Sequence, residues 1–159
     1  MKYAEATTVS VERSKAEIER TLERYGADQF LSGWDAGKST AMIGFTMLGR
    51  QVRFFIELPD KADDEFQLTE TGRARAETSA LKAWEQACRQ RWRALALVIK
   101  AKLEAVESGI TVFEDEFLAH IVLPNGSTVG DWARPQIEQA YETLEMPSLL
   151  PSLTAGEVQ

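Results

Sequence analysis

Four cations on one predicted helix are the residues of this chain whose type and spacing best suit a binding site. A long helix is predicted from about Ser79 to Ser108. Steps of seven, four and seven separate its row of cations, which is called the basic stripe below: Lys82, Arg89, Arg93 and Lys100. At about 1.5 Å rise per residue the stripe is about 27 Å long, enough to contact several phosphates of a nucleic acid. Arg53 and Phe55 of a predicted strand would add a cation and a stacking ring if they share this surface.

Acidic residues crowd the last third of the chain and offer a second kind of surface. Residues 109 to 159 hold eight acidic side chains and one basic side chain, Arg134, whereas residues 77 to 108 hold six basic and four acidic ones. The carboxylates that a basic partner protein could contact are Glu114, Asp115, Glu116, Glu138, Glu142 and Glu145. The same carboxylates could instead pair with the basic stripe inside the molecule. Composition leaves both interpretations open.

Signatures of catalysis are few. His120 is the single histidine, so triads and histidine-based zinc sites have at most one candidate each. Residues 37 to 39 read Gly-Lys-Ser, but a phosphate-binding loop needs a glycine where Ser32 stands, and a hairpin turn is predicted instead. The acidic clusters at 63–65 and 114–116 could hold magnesium only if folding united them with a lysine. The chain is therefore predicted to be non-enzymatic, without metal or cofactor.

Length and composition indicate an ordinary globular protein. The chain has 159 residues, of which 44% are hydrophobic and 27% charged, with a net charge of −7. These values predict one domain over residues 1–145, followed by a tail over 146–159 that contains Pro147, Pro151 and several leucines. The sequence shows neither a bilayer-spanning apolar run nor a secretory signal, so the expectation is a cytoplasmic location, in a bacterial host cell, and no membrane partner.

Periodicity predicts an α+β fold. A first helix is expected from Val11 to Tyr25, capped by Ser10, and the stretch from Pro59 to Thr78 is expected to be a loop. Three antiparallel strands in a meander are expected near residues 29–34, 40–48 and 51–58, before the long central helix. Thr111 is expected to open a capping box with Glu114 and to start a short helix. A second C-terminal helix should run through the segment from Trp132 to Leu144, with a weaker cap at residues 128–131.

The long helix has two further faces. One is an apolar stripe that predicts the core contact and a buried, unreactive Cys88: Leu81, Trp84, Cys88, Trp92, Leu95, Ile99, Leu103 and Val106. The other consists of small residues that allow close approach: Ala83, Ala87, Ala94, Val98, Ala101 and Ala105. If this small-residue face is not covered within the molecule, the chain is predicted to form a homodimer.

Two segments carry a resemblance to other proteins. Residues 83–93, AWEQACRQRWR, and 117–126, FLAHIVLPNG, resemble a group of small uncharacterised proteins of phage and metagenomic type. The resemblance implies a phage or mobile-element setting and no particular activity. The order helix, three strands, helix is similar to that of double-stranded RNA-binding domains, but the lysine cluster of their second helix is missing here, with only Lys82 nearby.

The leading prediction is a non-enzymatic, phage-type accessory protein that binds nucleic acid, or a nucleic-acid-processing complex, through the basic stripe with Arg53 and Phe55. The alternative is a protein-binding module that uses the acidic residues to inhibit or modulate a host enzyme. The weakest alternative is a metal-dependent nuclease.

Overall fold

A computed structural model describes residues 4–146 and has the predicted α+β architecture. Its helices are α1 (Val11–Arg24), α2 (Asp64–Gln67), α3 (Glu77–Glu107), α4 (Phe113–Phe117) and α5 (Val129–Thr143), and a 3₁₀ turn covers Leu118–His120. Its strands are β1 (Gln29–Asp35), β2 (Thr40–Met47) and β3 (Arg50–Glu57). From residue 147 onward the predicted tail lies outside the described residues.

The three strands form an antiparallel meander in the order β1-β2-β3. Its first turn is held by Asp35, whose Oδ1 accepts hydrogen bonds from the backbone N–H of Gly37 at 2.9 Å and of Lys38 at 3.2 Å. The Gly-Lys-Ser segment is therefore a hairpin turn, as predicted. The second turn is the pair Leu48 and Gly49, both with positive φ, which suits a tight two-residue hairpin.

One face of the sheet carries the core. Alternate side chains of β2 and β3 point toward α1 and α3 and are buried, in keeping with the period of two along a strand. Helix α1 begins at the predicted cap, where the Ser10 Oγ accepts from the Arg13 N–H. The core residues of the two helices include Ile18, Leu22, Cys88, Trp92, Ala96, Ile99 and Leu103. The outer face of the sheet has no helix against it among the described residues.

Phe117 joins the C-terminal third of the chain to this core. Its side chain is fully buried, and its ring meets those of Phe45 and Phe54 edge to face, with centroids 5.8 and 6.3 Å away. Phe113, one turn earlier, packs on the same ring at 4.9 Å. Edge-to-face aromatic pairs are favourable beyond the area that they bury. Helix α4 is thus pinned to the inner face of the sheet by two rings.

The segment after the 3₁₀ turn lies along the free edge of β3. Val122 donates its backbone N–H to the carbonyl of Gln51 at 2.8 Å. The chain then reverses direction through residues 123–127, and Val122 pairs with Thr128. Arg53 reaches across this edge, and its Nη2 donates to the carbonyl of Gly126 at 2.5 Å. These bonds fix the point at which the chain enters α5.

Two local predictions were wrong. The stretch 59–78 is not wholly a loop, because it contains α2, whose Phe66 is buried against α3. Thr111 does not open a capping box; the N-cap of α4 is Val112, which has no side-chain oxygen to offer. The capping box at Thr128 and Asp131, expected to be the weaker one, is complete and starts α5.

Phe117→Ala should lower the free energy of unfolding by about 3–5 kcal/mol, because it leaves a cavity among three aromatic neighbours. Urea denaturation measures the change. The matched control is Leu118→Ala at an exposed neighbouring position, which should cost under about 0.5 kcal/mol. Equal losses for both variants would contradict the role given to Phe117.

Candidate functional site

The basic stripe is split by contacts inside the molecule. Arg93 Nη1 lies 2.5 Å from Glu17 Oε2 of α1, and these two side chains are only 23% and 35% exposed. Arg89 donates from Nε and Nη2 to the side-chain oxygen of Gln86, in its own helix. The remaining members, Lys82 and Lys100, are exposed at the two ends. The stripe is therefore partly engaged by α1 and does not form one continuous row of solvent-facing cations.

Lys100 belongs instead to a cluster that spans both helices. Together with Glu17, Arg20, Thr21 and Arg24 of α1, it lines a shallow depression of about 250 Å³. The one carboxylate in this group, Glu17, is the partner of Arg93. The depression consequently has an excess of positive charge that sequence spacing along a single helix does not reveal.

Arg53 and Phe55 do not share a surface with the basic stripe. Val52, Phe54 and Ile56 of β3 face the core. Arg53 and Phe55 alternate with them and therefore point to the outer face of the sheet, away from α3. Phe55 is 62% exposed there, and the Arg53 guanidinium carbon lies 5.1 Å from the centroid of its ring. The expected joint surface is thus not formed, because strand alternation sends these two side chains to the wrong side.

The predicted acidic surface divides into two groups. Glu114 pairs with Arg50 at 3.0 Å, and Glu116 pairs with Lys102 at 3.0 Å, while Asp115 is exposed. The second group lies on or just after α5, where all three carboxylates are exposed: Glu138, Glu142 and Glu145. Within residues 4–146 no cation of the basic stripe pairs with either group.

The acidic clusters do not assemble a metal site in the part of the chain that the structure describes. Over residues 4–146, no three histidine, cysteine or acidic side chains are close enough together to hold an ion. Two carboxylates of the 114–116 cluster are instead directed at cations of β3 and α3.

Helix α5 carries a feature that sequence reasoning missed. None of its residues is buried, and its large apolar side chains are 46%, 55% and 81% exposed at Trp132, Ile137 and Tyr141. Leu144, the C-cap residue, is 89% exposed. At about 100° per residue Trp132, Ile137 and Tyr141 fall within an arc of about 180°, with Trp132 and Tyr141 at its two edges. Together with Leu144 they are called the α5 apolar face.

A shallow, almost wholly apolar depression of about 220 Å³ runs along this face. Its lining comprises Trp132, Ala133, Gln136, Ile137, Ala140, Tyr141 and Met146. The opposite half of the helix is polar and is formed by Asp131, Arg134, Glu138 and Glu142. Such a division is typical of a helix that packs its apolar half against another element.

The first turn of α5 is fixed by a capping box and by close contact with the 3₁₀ turn. Thr128 Oγ1 accepts from the Asp131 N–H at 3.1 Å, and the Asp131 carboxylate in turn accepts from the Thr128 N–H. Gly130 lies so close to the 3₁₀ turn that an added Cβ would stand 2.9 Å from the carbonyl oxygen of Ala119. Only glycine permits this approach, which places the start of α5 against the 3₁₀ turn.

The side chain of His120 packs against an aromatic ring of the sheet. Its ring stacks on Phe54 with centroids 3.9 Å apart and planes at 22°. Burial lowers the pKa of His120 below its usual 6.5, and the nearby Lys102 ammonium lowers it further, against a hydrogen bond to the backbone of Arg53. The neutral ring is therefore the form that the fold favours.

No family model, curated protein or solved structure matches this chain. Among the described residues, no helix is both long and apolar enough to cross a bilayer.

The depressed pKa of His120 makes stability depend on pH. As pH falls below about 6.5 the unfolded chain binds the proton first, so stability that is present above this pH is lost as pH drops toward the lower folded-state pKa. Denaturant titrations between about pH 7 and pH 5 should show this decline, and His120→Gln should flatten it. An unchanged slope in His120→Gln would contradict the assignment.

Proposed function

We propose that this protein is a non-enzymatic protein-binding module that docks a basic, amphipathic helix of its partner on the α5 apolar face. The observation that carries the proposal is the exposure of Trp132, Ile137 and Tyr141 along one half of a helix with no buried residue. The resemblance to phage-type proteins favours a host enzyme as the partner whose activity is modulated.

The energetics favour a docked state for α5. A helix of 15 residues is marginal in water by itself, since most helical stability comes from packing an apolar face. Each side chain the size of isoleucine or leucine contributes about 1.5–3 kcal/mol when it is fully buried. Tryptophan and tyrosine are also the residues that most often dominate binding energy at interfaces. The α5 apolar face therefore has the composition of a helix-in-groove or helix-pairing site.

The acidic residues of α5 favour a basic partner. Glu138 and Glu142 lie on the polar half of α5, and Glu145 follows just after the helix. The single cation of α5, Arg134, is 3.6 Å from Asp131 of the same helix. At about 100° per residue Glu138 lies about 60° beyond Tyr141, so it borders the α5 apolar face, and a partner helix with lysine or arginine beside its apolar stripe would meet complementary charge there. A second copy of α5 would instead bring two sets of glutamates together, which disfavours self-association.

A leucine–lysine amphipathic peptide should bind the protein, and its leucine–glutamate counterpart, with the same apolar face, should bind at least about tenfold more weakly. Fluorescence anisotropy of the labelled peptides measures both affinities. The double variant Ile137→Asn/Tyr141→Ser should remove binding, because it makes the centre of the α5 apolar face polar.

The control is Ile110→Asn, which changes a side chain that is 81% exposed just after α3 and should leave binding unaltered. Equal affinity for the lysine and glutamate peptides would contradict the charge argument. A stable dimer in analytical ultracentrifugation that no longer binds the peptide would contradict the choice of occupant, because a second copy of the chain would then cover the α5 apolar face.

Nucleic-acid binding remains the second candidate, and the observation that favours it is the cluster of Arg20, Arg24 and Lys100 across α1 and α3. Three cations around one depression can contact adjacent phosphates. Labelled duplex DNA or RNA should then bind in a salt-sensitive manner, and Arg20→Glu/Lys100→Glu should abolish binding while Arg73→Glu, in the exposed loop before α3, does not. No binding at low salt would remove this candidate.

A further inference from the structure

A separate cavity of about 390 Å³ lies between the start of α1, the end of β1 and the first half of α3. Three of the four tryptophans of the chain, Trp34, Trp84 and Trp92, line it. This volume falls within the range of about 300–1,000 Å³ that small-molecule sites occupy. The cavity is built from elements other than α5, so it stands apart from the protein-docking surface.

The cavity exists because one corner of the sheet is left uncovered. Trp34 pairs in register with Ala41, whose side chain is on the core face and 2% exposed. Trp34 therefore points to the core side of the sheet, and yet it is 73% exposed. A large ring on the core side that finds no packing partner is unusual, since burial of apolar area drives folding. It leaves an indole face open to the cavity.

The other two indoles are held in place. Trp92 is almost fully buried, and the Lys15 ammonium lies 4.6 Å from the centroid of its ring. Trp84 donates from Nε1 to the carbonyl of Pro59 at 2.7 Å. Between them on α3, Cys88 is buried, and its small side chain leaves space above it. Two of the three aromatic walls are thus fixed before any ligand arrives, which lowers the entropic cost of binding.

Two cations flank the aromatic walls. Lys15 comes from α1 and Arg89 from α3, and both are partly buried, while the two carboxylates of the lining, Glu12 and Glu85, are exposed. The bonds from Arg89 to Gln86 orient its guanidinium group. The less exposed charges of the cavity are therefore positive, and guanidinium and ammonium groups are the usual partners of carboxylate and phosphate.

We propose that this cavity binds a small planar aromatic molecule that carries one anionic group, the chemistry of a nucleoside monophosphate. The ring stacks against the open face of Trp34, and the anionic group meets Lys15 and Arg89. Stacking and a charged hydrogen bond are each modest alone, so both halves of the ligand are needed for appreciable affinity.

Isothermal titration calorimetry with three probes tests this proposal. Adenosine 5′-monophosphate should bind with a Kd below about 1 mM and at least about tenfold more tightly than adenosine, which lacks the anion, or ribose 5-phosphate, which lacks the ring. Trp34→Ala and Arg89→Gln should each weaken binding about tenfold. Because Trp34 is largely exposed, its variant should keep the wild-type circular dichroism spectrum and melting temperature.

The matched control is Phe55→Ala, which removes an exposed aromatic ring from the opposite face of the sheet and should leave the affinity unchanged. Adenosine binding as tightly as the monophosphate would overturn the anionic half of the proposal. Binding that is insensitive to Trp34→Ala would overturn the location. No saturable binding of adenosine 5′-monophosphate or of indole-3-acetate, a smaller planar anion, would overturn the site. Because α5 is absent from the cavity, failure here leaves the docking proposal standing.

Discussion

The burial of Phe117 between Phe45 and Phe54 is the interaction on which the arrangement of the C-terminal third depends. Helices α1 and α3 can cover the sheet through their own apolar stripes, but the chain after α3 has few such anchors. Once Phe117 is seated, the 3₁₀ turn stacks His120 on Phe54 and the next segment bonds to the edge of β3. Helix α5 then starts at a fixed place, and none of its residues is buried.

Much of this architecture follows from local patterns. The Ser10 cap, the alternation in the strands and the three- and four-residue steps of α3 are properties of neighbouring residues, so the sequence alone was enough to predict them. Phe66 was harder to foresee, because a single apolar residue in a polar stretch shows its burial only through its contact with α3. The small-residue face of α3 stays a prediction, since the contacts of one chain do not test a dimer.

The candidate sites were less predictable than the fold, because each is made by contacts that are distant in sequence. On a helical wheel the basic stripe is continuous, but Glu17 of α1 pairs with Arg93 and neutralises the charge in its middle. Trp34 and Trp84 are 50 positions apart in the sequence, and only the fold shows that both line one cavity. For α5, amphipathicity was visible, but the same pattern describes a helix packed on the core and a helix that presents its apolar half to a partner.

The most direct test of the docking account is hydrogen exchange followed by mass spectrometry, on the protein alone and with the leucine–lysine peptide. The account predicts that the amides of α5 exchange far faster than those of α3 in the free protein, because an exposed helix opens without breaking the core. It also predicts that the peptide slows exchange in α5 and leaves α1 and α3 unchanged. Protection of α5 equal to that of α3 in the free protein would contradict the account, because the α5 apolar face would then already be covered.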